Sequence, residues 1–254
     1  MPPSQTTSLI TGATAGIGHE YARQLAARGD DLVLVARDGL RLEQVAEELR
    51  RAHQVEVEVL VADLTVRDDL ARVEARLADR GRPVDLLVNN AGFGLKKRFL
   101  DNTADEETAM LEVLVTAVLR LSHAALGAMA ERGHGGIINV SSVAAFLPRG
   151  SYSAAKAWVN SFSEWAHLEY RDRGVKVMAL CPGFTKTEFH ERMQVTRGDG
   201  FMWLEVDFLV RTSLEDFAKG RAYSVPGAQY KAIAALTRVI PNRVLRLTQS
   251  VGRR

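Results

Sequence analysis

Between residues 8 and 225, short apolar runs alternate with longer stretches in which apolar residues recur at helical spacing. The runs 8–11, 32–36, 55–62, 86–89, 136–141, 176–180 and 221–225 predict strands, and the stretches 17–28, 40–53, 70–80, 104–132 and 152–173 predict helices. This alternation is what a doubly wound α/β fold requires: a parallel sheet of about seven strands with helices on both faces. No internal linker or short repeat interrupts it, so the pattern predicts one domain over 1–254, with a core at about 6–227. Ligands of such sheets lie beyond the carboxyl ends of the strands, where the strand order reverses.

Composition agrees with this reading. The chain has 254 residues, 46% hydrophobic and 25% charged, enough for a substantial core in one α/β domain. A formal net charge of +2, with no basic run or aromatic-basic interleaving of the kind nucleic acid requires, predicts no nucleic-acid partner. The single cysteine, Cys181, lies at the end of an apolar strand; it fits a structural thiol in a reducing compartment. The start, Met1-Pro2-Pro3-Ser4, lacks the basic and apolar regions of a secretion signal. No apolar run is read as approaching membrane-spanning length, so the expectation is a cytoplasmic protein with no integral membrane association. The histidines show no ligand spacing with acidic or cysteine partners, and no metal is expected; His190 reads as a surface polar residue.

Two motifs carry chemistry. Leu9-Ile10-Thr11-Gly12-Ala13-Thr14-Ala15-Gly16-Ile17-Gly18 reads as a buried strand, a glycine-rich turn and a helix start. Gly12 lets the chain leave the strand where a Cβ would oppose it. Gly16 and Gly18 let backbone and helix start approach a pyrophosphate, which the free N–H groups and positive helix end favour. The spacing is G-x-x-x-G-x-G rather than the common G-x-G-x-x-G. Further along, Tyr152-Ser153-Ala154-Ala155-Lys156 places a phenol and an ammonium four residues apart on one helix face, behind Ser141-Ser142. An ammonium there favours the ionised phenol.

Together with Asn89-Asn90-Ala91-Gly92 after the fourth strand and Cys181-Pro182-Gly183 after the sixth, these motifs in this order resemble the short-chain dehydrogenase/reductase family from about residue 6 to 227. The resemblance implies a carbonyl/alcohol oxidoreductase using a nicotinamide cofactor. Ser142 would polarise the substrate oxygen, Tyr152 would give or take the proton, and Lys156 would hold the nicotinamide ribose and lower the tyrosine pKa. Ser141 is the alternative hydroxyl. The turn residues Gly12, Thr14, Gly16, Ile17 and Gly18 would meet the pyrophosphate, and Asp63 with Leu64 the adenine. Asn90 would contact the adenosine side, with Asn89 tying neighbouring strands. Gly183, Thr185 and Thr187, in Pro182-Gly183-Phe184-Thr185-Lys186-Thr187, would meet the carboxamide and phosphates. At the end of the second strand, Ala36 stands at the usual acidic position and Arg37 follows, which favours NADP over NAD; Asp38 argues the other way.

The chain departs from the family pattern twice. Ser142 lies ten residues before Tyr152 where the family has about thirteen, so the loop between them is short. Leu114 stands where most active members carry an asparagine that holds a relay water for the lysine, and leucine cannot hydrogen-bond. Two readings follow: a working NADP-dependent enzyme, or a dinucleotide-binding sensor or interaction partner with little turnover. The segment at about 184–210 reads as a lid, and Phe184, Phe189, Met193, Phe201, Met202, Trp203, Leu204 and Phe208 suit either a lipophilic carbonyl or alcohol substrate or anchorage to the core. The extension at about 228–254, interrupted by Pro241, is amphipathic and basic; packing onto its own or a sister subunit is expected over a membrane surface. The resemblance also implies a homodimer or homotetramer.

Overall fold

The computed structural model describes residues 6–187 and 200–237. Its strands are β1 (Thr7–Thr11), β2 (Asp31–Ala36), β3 (Val57–Val61), β4 (Leu86–Asn89), β5 (Gly135–Val140), β6 (Val175–Leu180) and β7 (Tyr223–Ser224). They form one parallel seven-stranded sheet in the order β3-β2-β1-β4-β5-β6-β7. The order reverses at β1, which lies between β2 and β4, and the first glycine turn leaves from there. All seven predicted strands are present. The third is shorter than 55–62 and the last is reduced to two residues.

The helices are α1 (Gly16–Ala26), α2 (Gly39–His53), α3 (Arg67–Ala78), α4 (Ala104–Leu111), α5 (Ala117–Arg132), α6 (Ser151–Tyr170), α7 (Val206–Ala218) and α8 (Ala228–Thr237). On one face of the sheet, Tyr21, Leu25, Leu42, Leu49, Leu209 and Leu214 from α1, α2 and α7 pack over Ile10, Leu34 and Met178. On the other, Val73, Leu77, Leu121, Met129 and Ala166 from α3, α5 and α6 cover Leu9, Val33, Leu87 and Ile137. Both faces are therefore withdrawn from water, and the carboxyl edge of the strands is left to carry the polar chemistry. A third, smaller cluster of Met110, Leu114 and Ala155, with Phe93 and Tyr152 against it, joins α4 to the start of α6.

Two expectations need correction. The segment 206–218, partly assigned to the lid, forms α7, whose Leu209, Val210 and Leu214 are core residues. The statement that no apolar run approaches membrane length also fails. Ala104–Arg132 is one continuous helix of 29 residues, α4 and α5 joined by a π-turn at Glu112–Thr116, and is long and apolar enough to cross a bilayer. Of its apolar window 56% is buried inside the fold, so the same residues that give it that character pack against the sheet and α3. Sequence therefore supplies no ground for excluding a spanning segment. Phe189, His190, Met193 and the extension beyond residue 237, Pro241 included, lie outside the described residues.

Leu87 sits fully buried on β4 between the two central neighbours of the sheet. Leu87→Ala should lower the unfolding free energy by about 2–5 kcal/mol, the range for a core leucine whose cavity does not collapse. The check is a lower denaturant midpoint with an unchanged slope.

Candidate active site

A cavity of about 740 Å³ opens along the carboxyl edge of the sheet. The loops after β1, β2, β3, β4, β5 and β6 all contribute to its wall. The glycine turn forms one end. Gly12 (φ 68°) and Gly16 (φ 56°) occupy left-handed backbone, which other residues resist. Ala15 precedes α1 without any side-chain cap, and no acidic residue lies in the first turn, so the leading N–H groups and the positive helix end are available to an anion.

Gly12, Thr14 and Ile17 line the cavity, while Gly16 lines a smaller neighbouring hollow with Thr14 and Arg41. Gly18 lines neither, and its surroundings show close packing. A Cβ there would come within 2.3 Å of both the Gly12 carbonyl and the Asn90 amide, so glycine lets the helix close against its own turn. Asn90 borders the cavity, but its amide is committed to this scaffold and donates to the Thr11 (2.8 Å) and Gly12 (3.2 Å) carbonyls. Asn89 does what was expected of it, donating to Asn139 across β4 and β5 and to Ser122.

At the basic end Asp38 also lines the cavity, and its Oδ1 accepts from the Arg41 backbone N–H (3.0 Å) as the N-cap of α2. Arg37 lines the cavity and lies 3.8 Å from Asp63, an ion pair loose enough to leave the guanidinium 71% exposed. Asp63 serves two ends: Oδ1 accepts from the N–H and hydroxyl of Thr65, and Oδ2 faces Arg37. Leu64 completes this wall. Arg41, missed in the sequence, lines the same region. The available signal was its place in the first turn of the helix that follows Arg37.

At the other end stand Ser142, Tyr152 and Lys156. The short loop folds because residues Val143–Phe146 make a single 3-10 turn, which Ser142 caps by accepting from the Ala144 N–H at 3.1 Å. The same hydroxyl faces the Tyr152 phenol closely enough to favour its ionised form. Ser141, the alternative, also lines the cavity, but its buried hydroxyl donates to the Lys156 carbonyl at 3.0 Å and ties β5 to α6. Lys156, 4% exposed, donates to the Val140 carbonyl at 2.7 Å and lies 5.9 Å from the centre of the Tyr152 ring.

Burial pushes Tyr152 up to about 12, with Ser142 pulling the other way, and brings Lys156 down to about 8, opposed by Cys181. Among the protein's own groups desolvation sets the direction for Tyr152, while the Lys156 ammonium donates to Val140; the expected lowering rests on that ammonium together with the oxidised nicotinamide. A phenol so placed holds its proton and can serve as a donor.

Leu114 is fully buried in the π-turn, against Gly92 on the side where Lys156 approaches. It is both a packed core residue and part of the cavity wall. Gly183, Thr185 and Thr187 also line the cavity. Gly183 is fixed by α8, because a Cβ would meet the Tyr230 ring at 2.0 Å, and the Tyr230 oxygen accepts from the Phe184 N–H at 2.8 Å. Of the apolar lid residues named from the sequence, the described ones (Phe184, Phe201, Met202, Trp203, Leu204 and Phe208) do not line the cavity. Leu204 is buried and pairs with Thr185, Met202 packs on the core, and Phe201 is 81% exposed. Anchorage therefore accounts for Met202 and Leu204.

Sequence reading also missed Glu107. Nearly buried on α4, it accepts from Ser151 Oγ (2.5 Å) at the head of α6 and from Asn102 Nδ2 (2.8 Å). It clasps the loop after β4 to the residue preceding Tyr152, and negative charge there suits the helix N-terminus.

The chain belongs to the short-chain dehydrogenase family, whose model matches residues 6–197. It is 36% identical to the very-long-chain 3-oxoacyl-CoA reductase of Anas platyrhynchos over 189 residues, 71% of this chain and 60% of that protein. It thus spans about three fifths of the length of the curated reductases it matches. It is 31% identical to 17-beta-hydroxysteroid dehydrogenase type 3 of Rattus norvegicus, covering 93% of this chain and 77% of that one. Among solved structures, the short-chain dehydrogenase from Sphingobium yanoikuyae in complex with NADPH superposes with a TM-score of 0.84 at 38% identity, covering 93% of this chain and 96% of that one.

Glu107→Ala should leave the Ser151 hydroxyl and Asn102 amide without their buried acceptor and cost about 1–3 kcal/mol. Glu107→Gln, which keeps one acceptor, should recover part of that loss in the same thermal or denaturant melt.

Proposed function

We propose that the protein is an NADP-dependent oxidoreductase that interconverts a lipophilic carbonyl and its alcohol. The observation that carries this is the convergence, in one cavity, of a proton-holding Tyr152 beside Ser142, a buried Lys156, and an uncapped glycine turn with two arginines at the far end. The cradle fits a dinucleotide. Left-handed glycines keep its floor free of side chains, the α1 N–H groups suit a diphosphate, and Arg37 with Arg41 suits a 2'-phosphate. A bound nicotinamide cofactor supplies or takes up hydride.

The chain's own residues do the rest. Ser142 orients the substrate oxygen toward Tyr152, and Tyr152 donates the proton as the alcohol forms. Lys156, held by Val140, supplies positive charge that offsets the phenolate left behind. Relatives named for long-chain oxoacyl and steroid substrates, and the apolar wall of Phe93, Val113 and Leu114, support a lipophilic substrate. A cytoplasmic location and a homo-oligomeric state remain parts of this proposal, resting on the sequence alone. The second reading, a dinucleotide-binding protein with little turnover, draws on Leu114, which puts buried hydrocarbon where a proton relay to Lys156 would need a polar group.

NADPH should bind about tenfold to a hundredfold tighter than NADH, the value of one charge-assisted contact. Arg37→Ala should erase most of that preference; fluorescence titration giving equal dissociation constants in the parent protein would refute it.

Tyr152→Phe should abolish reduction while leaving NADPH affinity nearly intact. In the parent, reduction should be fastest while Lys156 is charged and should decline as pH rises through its value of about 8, with Tyr152, near 12, still protonated. A pH profile measured on Lys156→Met should lose that alkaline limb.

If proton resupply limits turnover, Leu114→Asn should raise kcat, shrink the solvent isotope effect and leave cofactor affinity unchanged. The buried amide is expected to cost about 1–3 kcal/mol, so a melt accompanies the kinetics.

A further inference from the structure

Phe93 and Gly94 line the cavity, and the chain after them runs outward from the carboxyl edge as Leu95-Lys96-Lys97-Arg98-Phe99-Leu100. Lys96, Lys97 and Arg98 are exposed, and none forms a salt bridge among the described residues, although Lys97 feels Glu106. In the single turn that follows, Phe99 is 62% and Leu100 90% exposed. Scattered exposed leucines are ordinary, but a phenylalanine and a leucine side by side behind three cations are not. Asp101 and Asp105 stay in solvent nearby. The next two carboxylates are held by the protein, Glu106 by the Thr103 N–H at 2.7 Å and Glu107 by Ser151 and Asn102.

We propose that this rim docks the protein peripherally on an anionic lipid surface, with Phe99 and Leu100 at headgroup depth and Lys96, Lys97 and Arg98 against the lipid phosphates. The observations favour a lipid surface over a protein partner for two reasons. The apolar side chains project as tips rather than lining a groove, and consecutive flexible cations match a diffuse negative charge better than one fixed carboxylate. Docking would turn the cavity mouth toward the phase that holds a lipophilic carbonyl. That consequence rests on the function proposed above, whereas the docking itself does not.

The test is cosedimentation of the full chain with phosphatidylcholine vesicles made with and without phosphatidylserine. NADPH affinity is measured on the same samples as a separate readout. Binding is expected only to the phosphatidylserine vesicles, and it should fall as salt rises from about 0.1 M to about 1 M and the screening length shrinks from about 10 to about 3 Å. Each cation near such a surface is worth roughly fivefold, so Lys96→Gln/Lys97→Gln/Arg98→Gln should weaken binding on the order of a hundredfold. Phe99→Ser/Leu100→Ser should weaken it roughly tenfold or more. Both variants change exposed side chains only and should keep the parent's melting temperature and NADPH affinity.

Absence of any preference for phosphatidylserine, or binding untouched by both variants, would overturn the proposal; the latter would place the contact elsewhere, as on the helix Ala104–Arg132. A self-association that Phe99→Ser/Leu100→Ser abolishes, with no vesicle binding, would assign the rim to a second copy instead. Failure of the parent to bind NADPH would count against the proposed function and leave the docking result standing.

Discussion

A lysine ammonium enclosed at the carboxyl end of a parallel sheet sets the terms for the rest of this structure. Taking that charge out of water is expensive, and one carbonyl, that of Val140, accepts from it. The partial compensation is visible in the downward shift of Lys156 to about 8. Such a residue persists only where its surroundings are fixed. Ser141 accordingly anchors the backbone of α6 at Lys156 itself, and Asn139, one position before Val140, binds Ser163 on the same helix. The helix is thus tied to β5 at two levels, and the lysine cannot drift away from its acceptor.

The same rigidity serves the proton. Tyr152 lies one helical turn before Lys156, and Ser142 reaches it only because the short loop collapses into a 3-10 turn capped by Ser142 itself. One hydroxyl therefore closes the loop and addresses the phenol. Glu107 secures the approach from the opposite wall by binding Ser151, the residue before the tyrosine. The dinucleotide end is organised by close approach instead. Gly18 lets α1 press on the glycine turn, Asn90 stitches that turn to the end of β4, and Gly183 makes room for Tyr230. Side-chain absence and backbone hydrogen bonds shape this half, which is why its electrostatics come from helix N–H groups and two arginines.

The π-turn at Glu112–Thr116 connects these halves to the core. One extra residue in that turn rotates the helix that follows it relative to the one before, with Leu114 at the centre of the turn, buried against Gly92. Hydrocarbon next to a buried ammonium raises the cost of its charge, so the leucine and the lowered lysine belong to one physical situation. The helix that carries the turn is apolar enough to cross a bilayer because its inner face must cover the sheet while Leu111 and Leu119 remain outside.

The sequence by itself determined the alternation of strands and helices, the parallel sheet, and the positions of Ser142, Tyr152, Lys156 and the glycine turn. Each is a local property: apolar period, left-handed glycine and i, i+4 spacing are written in consecutive residues. Tertiary structure decided what depends on neighbours distant in the chain. It gave Ser141 to a carbonyl of α6, made Asp38 a helix cap, spent the Asn90 amide on Thr11 and Gly12, and packed Gly18 against the glycine turn. It also brought Glu107 to Ser151 across 44 residues, and took Met202 and Leu204 into the core rather than the cavity. Partners of that kind cannot be read locally, because a polar side chain shows its chemistry in the sequence but not which unsatisfied group it meets. The surroundings of Tyr152 follow the same rule: spacing revealed the lysine, and only burial revealed how strongly lost solvent favours the protonated phenol.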